Sequence, residues 1–101
     1  MPVSLKLQSG ICTLTISGRF TFEVHREFRK YSEQALDNPE CTRLDMDLSE
    51  VAYLDSSALG MLLMLRDKAK STGKSVALIS AHGAVQQVIE IANFGKLFSL
   101  A

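Results

Sequence analysis

Three consecutive residues, Asp55, Ser56 and Ser57, hold the most chemistry in this sequence: a carboxylate and two hydroxyls at the entrance to an apolar helical pattern. Any of the three can cap a helix, accepting an orphan backbone N–H for about 1 kcal/mol. One cap serves one helix, so the triplet leaves hydroxyls to spare. A phosphate on Ser56 would add about −1.5 to −2 charges. It would stand beside a helix N-terminus, where N–H groups and the macrodipole favour anions. The fold should tolerate that charge despite repulsion from Asp55. A partner docked on the apolar residues downstream would instead meet a hydrated dianion. The expectation is a switch that leaves the fold intact and breaks an interface.

Other chemistry-bearing residues point nowhere. Gly73-Lys74-Ser75 looks like the end of a phosphate-binding loop, but Lys68 occupies the place of the glycine required five positions earlier, and a strand follows rather than a helix. Ser56 and His82 lack both a nucleophile elbow and an orienting partner for a hydrolase triad. Asp45 and Asp47 alternate on a strand with no third ligand nearby. Cys12 and Cys41 fit no metal spacing and are read as reduced, partly buried thiols. His25 is a boundary histidine. No catalytic residue, metal site or cofactor is expected, and the chain is not read as an enzyme.

The totals agree. The 101 residues make one domain, 1–101, whose 47% apolar content suffices for a single core. Eleven basic residues balance eleven acidic ones, so no overall field favours nucleic acid or an anionic membrane. The longest apolar run, Ala58 to Leu65, is too short to span a bilayer, and the N-terminus carries no signal-peptide pattern. A cytoplasmic protein without membrane insertion is expected.

The elements that must position the triplet follow from period. Leu5 and Leu7 mark a short strand, and Cys12, Leu14 and Ile16 mark a second; a turn near Ser9-Gly10 joins them as a hairpin. Val24, Phe28, Tyr31 and Ala35 form one helical stripe, capped by Thr21 and stopped at Asp37-Asn38-Pro39. Leu44, Met46 and Leu48 return to period two. Ala58, Leu62, Leu65 and Ala69 stripe the central helix, which Gly73 ends. Gly60, Leu63 and Met64 lie on its other side, so that side is either buried within the domain or a docking surface. A strand at Ser75 to Ser80 completes a parallel crossover. A helix from about Gly83 to Ala92 follows, with Phe94, Leu97 and Phe98 pinning the tail. The order β-β-α-β-α-β-α predicts an α/β fold, a mixed sheet with helices packed mainly on one face.

Leu54-Asp-Ser-Ser-Ala-Leu-Gly60, preceded by LDMDLSEV, resembles the signature of the anti-sigma factor antagonist (STAS) domain. Ile16-Ser17-Gly18-Arg19, the strand at Val76 to Ile79, and Val85 to Phe94 extend the resemblance over nearly the whole chain. It implies a STAS-like fold and a bacterial partner-switching regulator acting in signal transduction and transcription. The unphosphorylated form would bind a histidine-kinase-like serine kinase that doubles as an anti-sigma factor. Phosphorylation would release it, and a PP2C-type phosphatase would restore it. Carried over by position, Ser56 is the acceptor and Ser57 a minor one, with Asp55 and Ala58 as loop neighbours. Leu59, Gly60, Leu63 and Met64 would line the partner contact. ATP would belong to the kinase. Three departures stand out: Ala58 replaces the family's usual glycine, its methyl expected to stiffen the loop and alter partner fit; Phe20-Thr21 stands where Leu-Asp is common; and the sequence stops at Ala101, where many antagonists continue with a further strand and helix. A second function is carried alongside, a constitutive STAS accessory subunit of a membrane lipid (ABC-type) transport complex, in which the loop serines are contact residues only.

Overall fold

A computed structural model of the protein describes residues 2–101. Strands β1 (Val3–Gln8) and β2 (Ile11–Ile16) form the expected antiparallel hairpin, with Gln8 opposite Ile11. Its two-residue turn holds Ser9 and Gly10 both at positive φ, 54° and 82°. That twist matches the strands it joins, and glycine takes it without strain.

The helical stripe from Thr21 divides into two parts. Thr21 Oγ1 accepts the Glu23 N–H and opens a short 3-10 turn, Phe22–Val24, which runs into α1 (His25–Asp37). Val24, Phe28 and Ala35 are buried and Tyr31 half-buried, as the period requires. Asn38 stops the helix in an extended conformation, and its Oδ1 accepts the Glu40 N–H.

Strand β4 (Arg43–Asp47) pairs in parallel with β2 on one side and with β6 (Ser75–Ile79) on the other. Leu14, Ile16, Leu44, Met46 and Leu78 point into the core from these strands, each 0–1% exposed. Helix α2 (Ser56–Ser71) makes the crossover between β4 and β6 and buries Ala58, Met61, Leu62, Leu65 and Ala69. It ends in a Schellman motif: Gly73 at φ +74° donates to the Lys70 carbonyl, and Lys74 N–H donates to that of Ala69. Helix α3 (Gly83–Ile91) adds Val85 and Ile89 to the same core. Phe94 and Phe98 pin the tail, their ring centroids 5.3 Å apart. Leu97 does not share that role. Its side chain is exposed, and its carbonyl accepts the Arg66 Nε–H at 2.8 Å, tying the tail to α2.

All seven expected elements are present, in a mixed α/β sheet of order β1-β2-β4-β6-β7. Three short strands join them. The two-residue β7 (Ser99–Leu100) extends the sheet beside β6. β3 (Gly18–Phe20) and β5 (Val51–Leu54) pair with each other in parallel, away from the main sheet. The opposite sheet face carries Lys6, Thr13, Thr15 and Asp47 around a shallow polar hollow. Asp45 lies on that face too, yet it is buried rather than wet. Arg43 shares its face two residues away and covers the carboxylate with two hydrogen bonds, 2.8 and 3.2 Å. Among the described residues no helix is long and apolar enough to cross a membrane.

Candidate functional site

The segment between β4 and α2 holds the strand β5, and that strand positions the triplet. Its pairing with β3 sets Phe20 against Leu54, and the Asp55 N–H donates to the Phe20 carbonyl at 3.4 Å. Val51 and Leu54 are buried beneath, which fixes the height at which the chain leaves the strand. Asp55 is then the N-cap of α2, in an extended conformation. Its Oδ1 accepts the Ala58 N–H at 3.0 Å and the Ser57 hydroxyl at 2.6 Å. These bonds, the Ser57 hydroxyl foremost and then the Ala58 amide, hold the Asp55 carboxyl below its ordinary value of 3.8.

The cap thus consumes two of the three polar residues. Ser56, the first residue of α2, is exposed, and its hydroxyl makes no hydrogen bond among the described residues. Along the helix, Gly60 and Leu63 share its outward side, within about 60° of one another at 100° per residue. A Cβ on Gly60 would meet nothing within 4 Å. Leu63 is 36% exposed and Met64 62%, so the ambiguous side of α2 is open rather than covered by the domain. Leu59 is half-buried and packs on the core. Ala58 is fully buried, so its methyl faces the core and not an incoming partner.

Met64 is turned toward α1, where the two helices leave a cleft of about 320 Å³. Phe28, Met61 and Leu65 floor it, and Phe22 and Met64 stand on its lips. Phe22 is 62% exposed and lies flat on the His25 ring, centroids 4.3 Å apart and planes 8° from parallel. On the β3–β5 ladder the Arg19 guanidinium sits 4.6 Å over the exposed ring of its partner Tyr53.

The family model described as "Mlab, STAS domain" matches residues 3–100. The chain belongs to the STAS family. A STAS-domain containing protein of Pseudomonas aeruginosa (strain UCBPP-PA14) is 40% identical to this STAS domain over 89 residues, 88% of this chain and 86% of the relative. The crystal structure of an anti-sigma factor antagonist from Mycobacterium paratuberculosis superposes with a TM-score of 0.83 at 21% identity, covering 97% of this chain and 82% of that one. The SulP transporter STAS domain from Vibrio cholerae does so at 0.75 and 18%, covering 93% and 72%. At these identities the structural likeness is one of fold: this STAS domain has the fold of the anti-sigma factor antagonists, and the same fold occurs in transporters.

Several other residues that looked chemical in the sequence have structural work. Lys74, the lysine of the apparent phosphate loop, donates its ammonium to the carbonyls of Ala35, Leu36 and Asn38 and so closes the C-terminal end of α1. His82 Nε2 lies 2.9 Å from the Ser49 carbonyl. Asp47 accepts the Ser49 N–H. Cys12 and Cys41 are free thiols in the core, and burial pushes Cys12 up to about 12. Periodicity did not mark Phe22 and His25 as part of this cleft. The available signal was Phe22 itself, a large aromatic lying off the α1 stripe and directly after a cap residue.

Proposed function

We propose that this STAS domain is an anti-sigma factor antagonist-type partner switch, with Ser56 as the phosphate acceptor. The observation that carries the reading is the division of labour in the triplet. Asp55 and Ser57 satisfy the helix terminus between them, and the Ser56 hydroxyl is left exposed beside Gly60 and Leu63. The unphosphorylated form binds a histidine-kinase-like serine kinase through Leu59, Gly60, Leu63 and Met64. Burying the more exposed Met64 would contribute up to about 1.5–3 kcal/mol to that contact, and Leu63, already mostly covered, less. Phosphorylation sets a hydrated dianion in its midst and releases the partner, and a PP2C-type phosphatase restores binding. Ser57 is a poorer acceptor because its hydroxyl is spent on Asp55. In this reading the chain is a cytoplasmic substrate and binder rather than an enzyme, and whether the output is a sigma factor depends on the kinase's second partner.

Peptide-level mass spectrometry on the protein recovered from its own cells tests this. The expected result is phosphate on Ser56 with an occupancy that changes with growth condition.

A second reading has its own support, since the matching family model is that of "Mlab, STAS domain" and a transporter STAS domain shares the fold. There the domain is a constitutive accessory subunit of a membrane transport complex. Absence of phosphate in every condition, with co-purification of a membrane ATPase, would replace the first reading by this one.

A further inference from the structure

The cleft between α1 and α2 is apolar in its floor and cationic at its rim. Of the residues lining it, Arg29 and Lys68 carry positive charge, His25 is the third ionisable group, and none is acidic. Glu33 engages Arg29 from outside at 3.1 Å. Asp67, the nearest acid in sequence to Lys68, lies 3.7 Å from Arg66, and Lys68 forms no ion pair among the described residues. The volume, about 320 Å³, is at the small end for a ligand pocket, and the cleft lies open between two helices instead of enclosing its contents. Methionines at Met61 and Met64 give it an adaptable wall. Such a trough suits the apolar face of a peptide segment better than a small molecule.

We propose that this cleft seats the apolar anchor of an acidic, amphipathic segment of the partner protein, so that the docking surface runs from Ser56 round α2 to Phe22 in the 3-10 turn and His25 at the start of α1. Charge complementarity selects the acidic flank, because a basic one would face Arg29 and Lys68. The proposal takes from the partner-switch reading that a protein partner exists, and adds which of its surfaces docks here.

The test is a titration of the isotope-labelled full chain with two synthetic amphipathic helical peptides, identical in a leucine-and-phenylalanine apolar face and flanked by glutamates in one and lysines in the other. The expected result is saturable binding of the glutamate peptide at or below about 1 mM, with shifts at Phe22, His25, Met61 and Met64. The lysine peptide should bind at least tenfold more weakly. Met64→Glu and Lys68→Glu replace exposed residues, so they should keep the native spectrum and lose the glutamate peptide by tenfold or more. Equal binding of both peptides, no binding, or shifts confined to the open sheet face would overturn the proposal. So would movement of the cleft signals on simple dilution, which assigns the cleft to a second copy, or saturation by dodecyl phosphate alone, which assigns it to an amphiphile. Ser56 occupancy is read separately, so failure here leaves the phosphorylation reading standing, and the converse holds.

Discussion

The Ser57 hydroxyl donates to Oδ1 of Asp55 at 2.6 Å, and that same oxygen accepts the Ala58 amide. Ser57 therefore braces the cap, and Ser56 between the two is left alone. Replacing Ser57 by Ala should raise the Asp55 carboxyl toward 3.8, because the largest of the interactions depressing it is removed. The sign for stability follows. A depressed folded pKa stabilises above the unfolded value and loses that contribution as pH falls through the folded one, so the window lies below about pH 4. Ser57→Ala should be less stable than the parent at neutral pH and lose less on acidification. Carboxyl NMR titration with parallel urea melts at pH 7 and pH 3 reads both. An unmoved Asp55 titration would remove Ser57 from the cap.

Ser56→Asp should leave the fold alone. The side chain is exposed, and an acid in the first turn of a helix is favourable by about 0.3–1 kcal/mol, while exposed substitutions usually stay within about ±0.5 kcal/mol. Partner affinity should fall at least tenfold, and Ser56→Ala should keep it. The pair is read by calorimetry once the kinase is in hand. A fully bound Ser56→Asp would mean that charge at this position does not gate docking.

How much of this could be read from the sequence depended on element length. β2, β4, α1 and α2 are long enough to display their period, and Leu14, Leu44, Met46, Leu62 and Leu65 were legible as core. β5 was not. Val51-Ala52-Tyr53-Leu54 buries its two ends and exposes its middle, so it never alternates, and its partner β3 is a three-residue strand that begins at a glycine. What makes them strands is pairing across some thirty residues of chain, a relationship no local pattern carries. The triplet and its order of engagement are a similar case. Cap-grade residues were visible, but which hydroxyl is spent depends on the angle at which β5 delivers Asp55. The cleft was hidden for the same reason, since Phe22 and Met64 meet only through the packing of α1 on α2.

Lys74 separates a structural role from the nucleotide role its Gly-Lys-Ser setting imitates. Its ammonium bonds to three carbonyls at the end of α1. Lys74→Met keeps the stem and removes the charge, and should cost about 1.5–3 kcal/mol. Each kcal/mol should lower Tm by about 4–8 °C in a domain of this size. Neither parent nor variant should gain stability from ATP. A thermal melt with and without nucleotide decides it, and ATP stabilisation lost in the variant would revive the phosphate-loop reading.

Ala58 stands where the family's pattern has glycine, and from sequence its methyl looked like a change in the loop and in partner fit. The side chain is instead fully buried beneath the first turn of α2, two residues after the exposed serine. The methyl contributes core contact and restricts the unfolded chain. Ala58→Gly should therefore cost stability, about 1 kcal/mol from helix propensity and up to about 0.8 kcal/mol from the lost methyl. It should leave partner affinity unchanged, since no atom of Ala58 reaches the outer face. Chemical melts paired with binding measurements separate the two effects. Altered affinity at unaltered stability would place Ala58 in the interface, and would mean that the first turn of α2 opens when the partner docks.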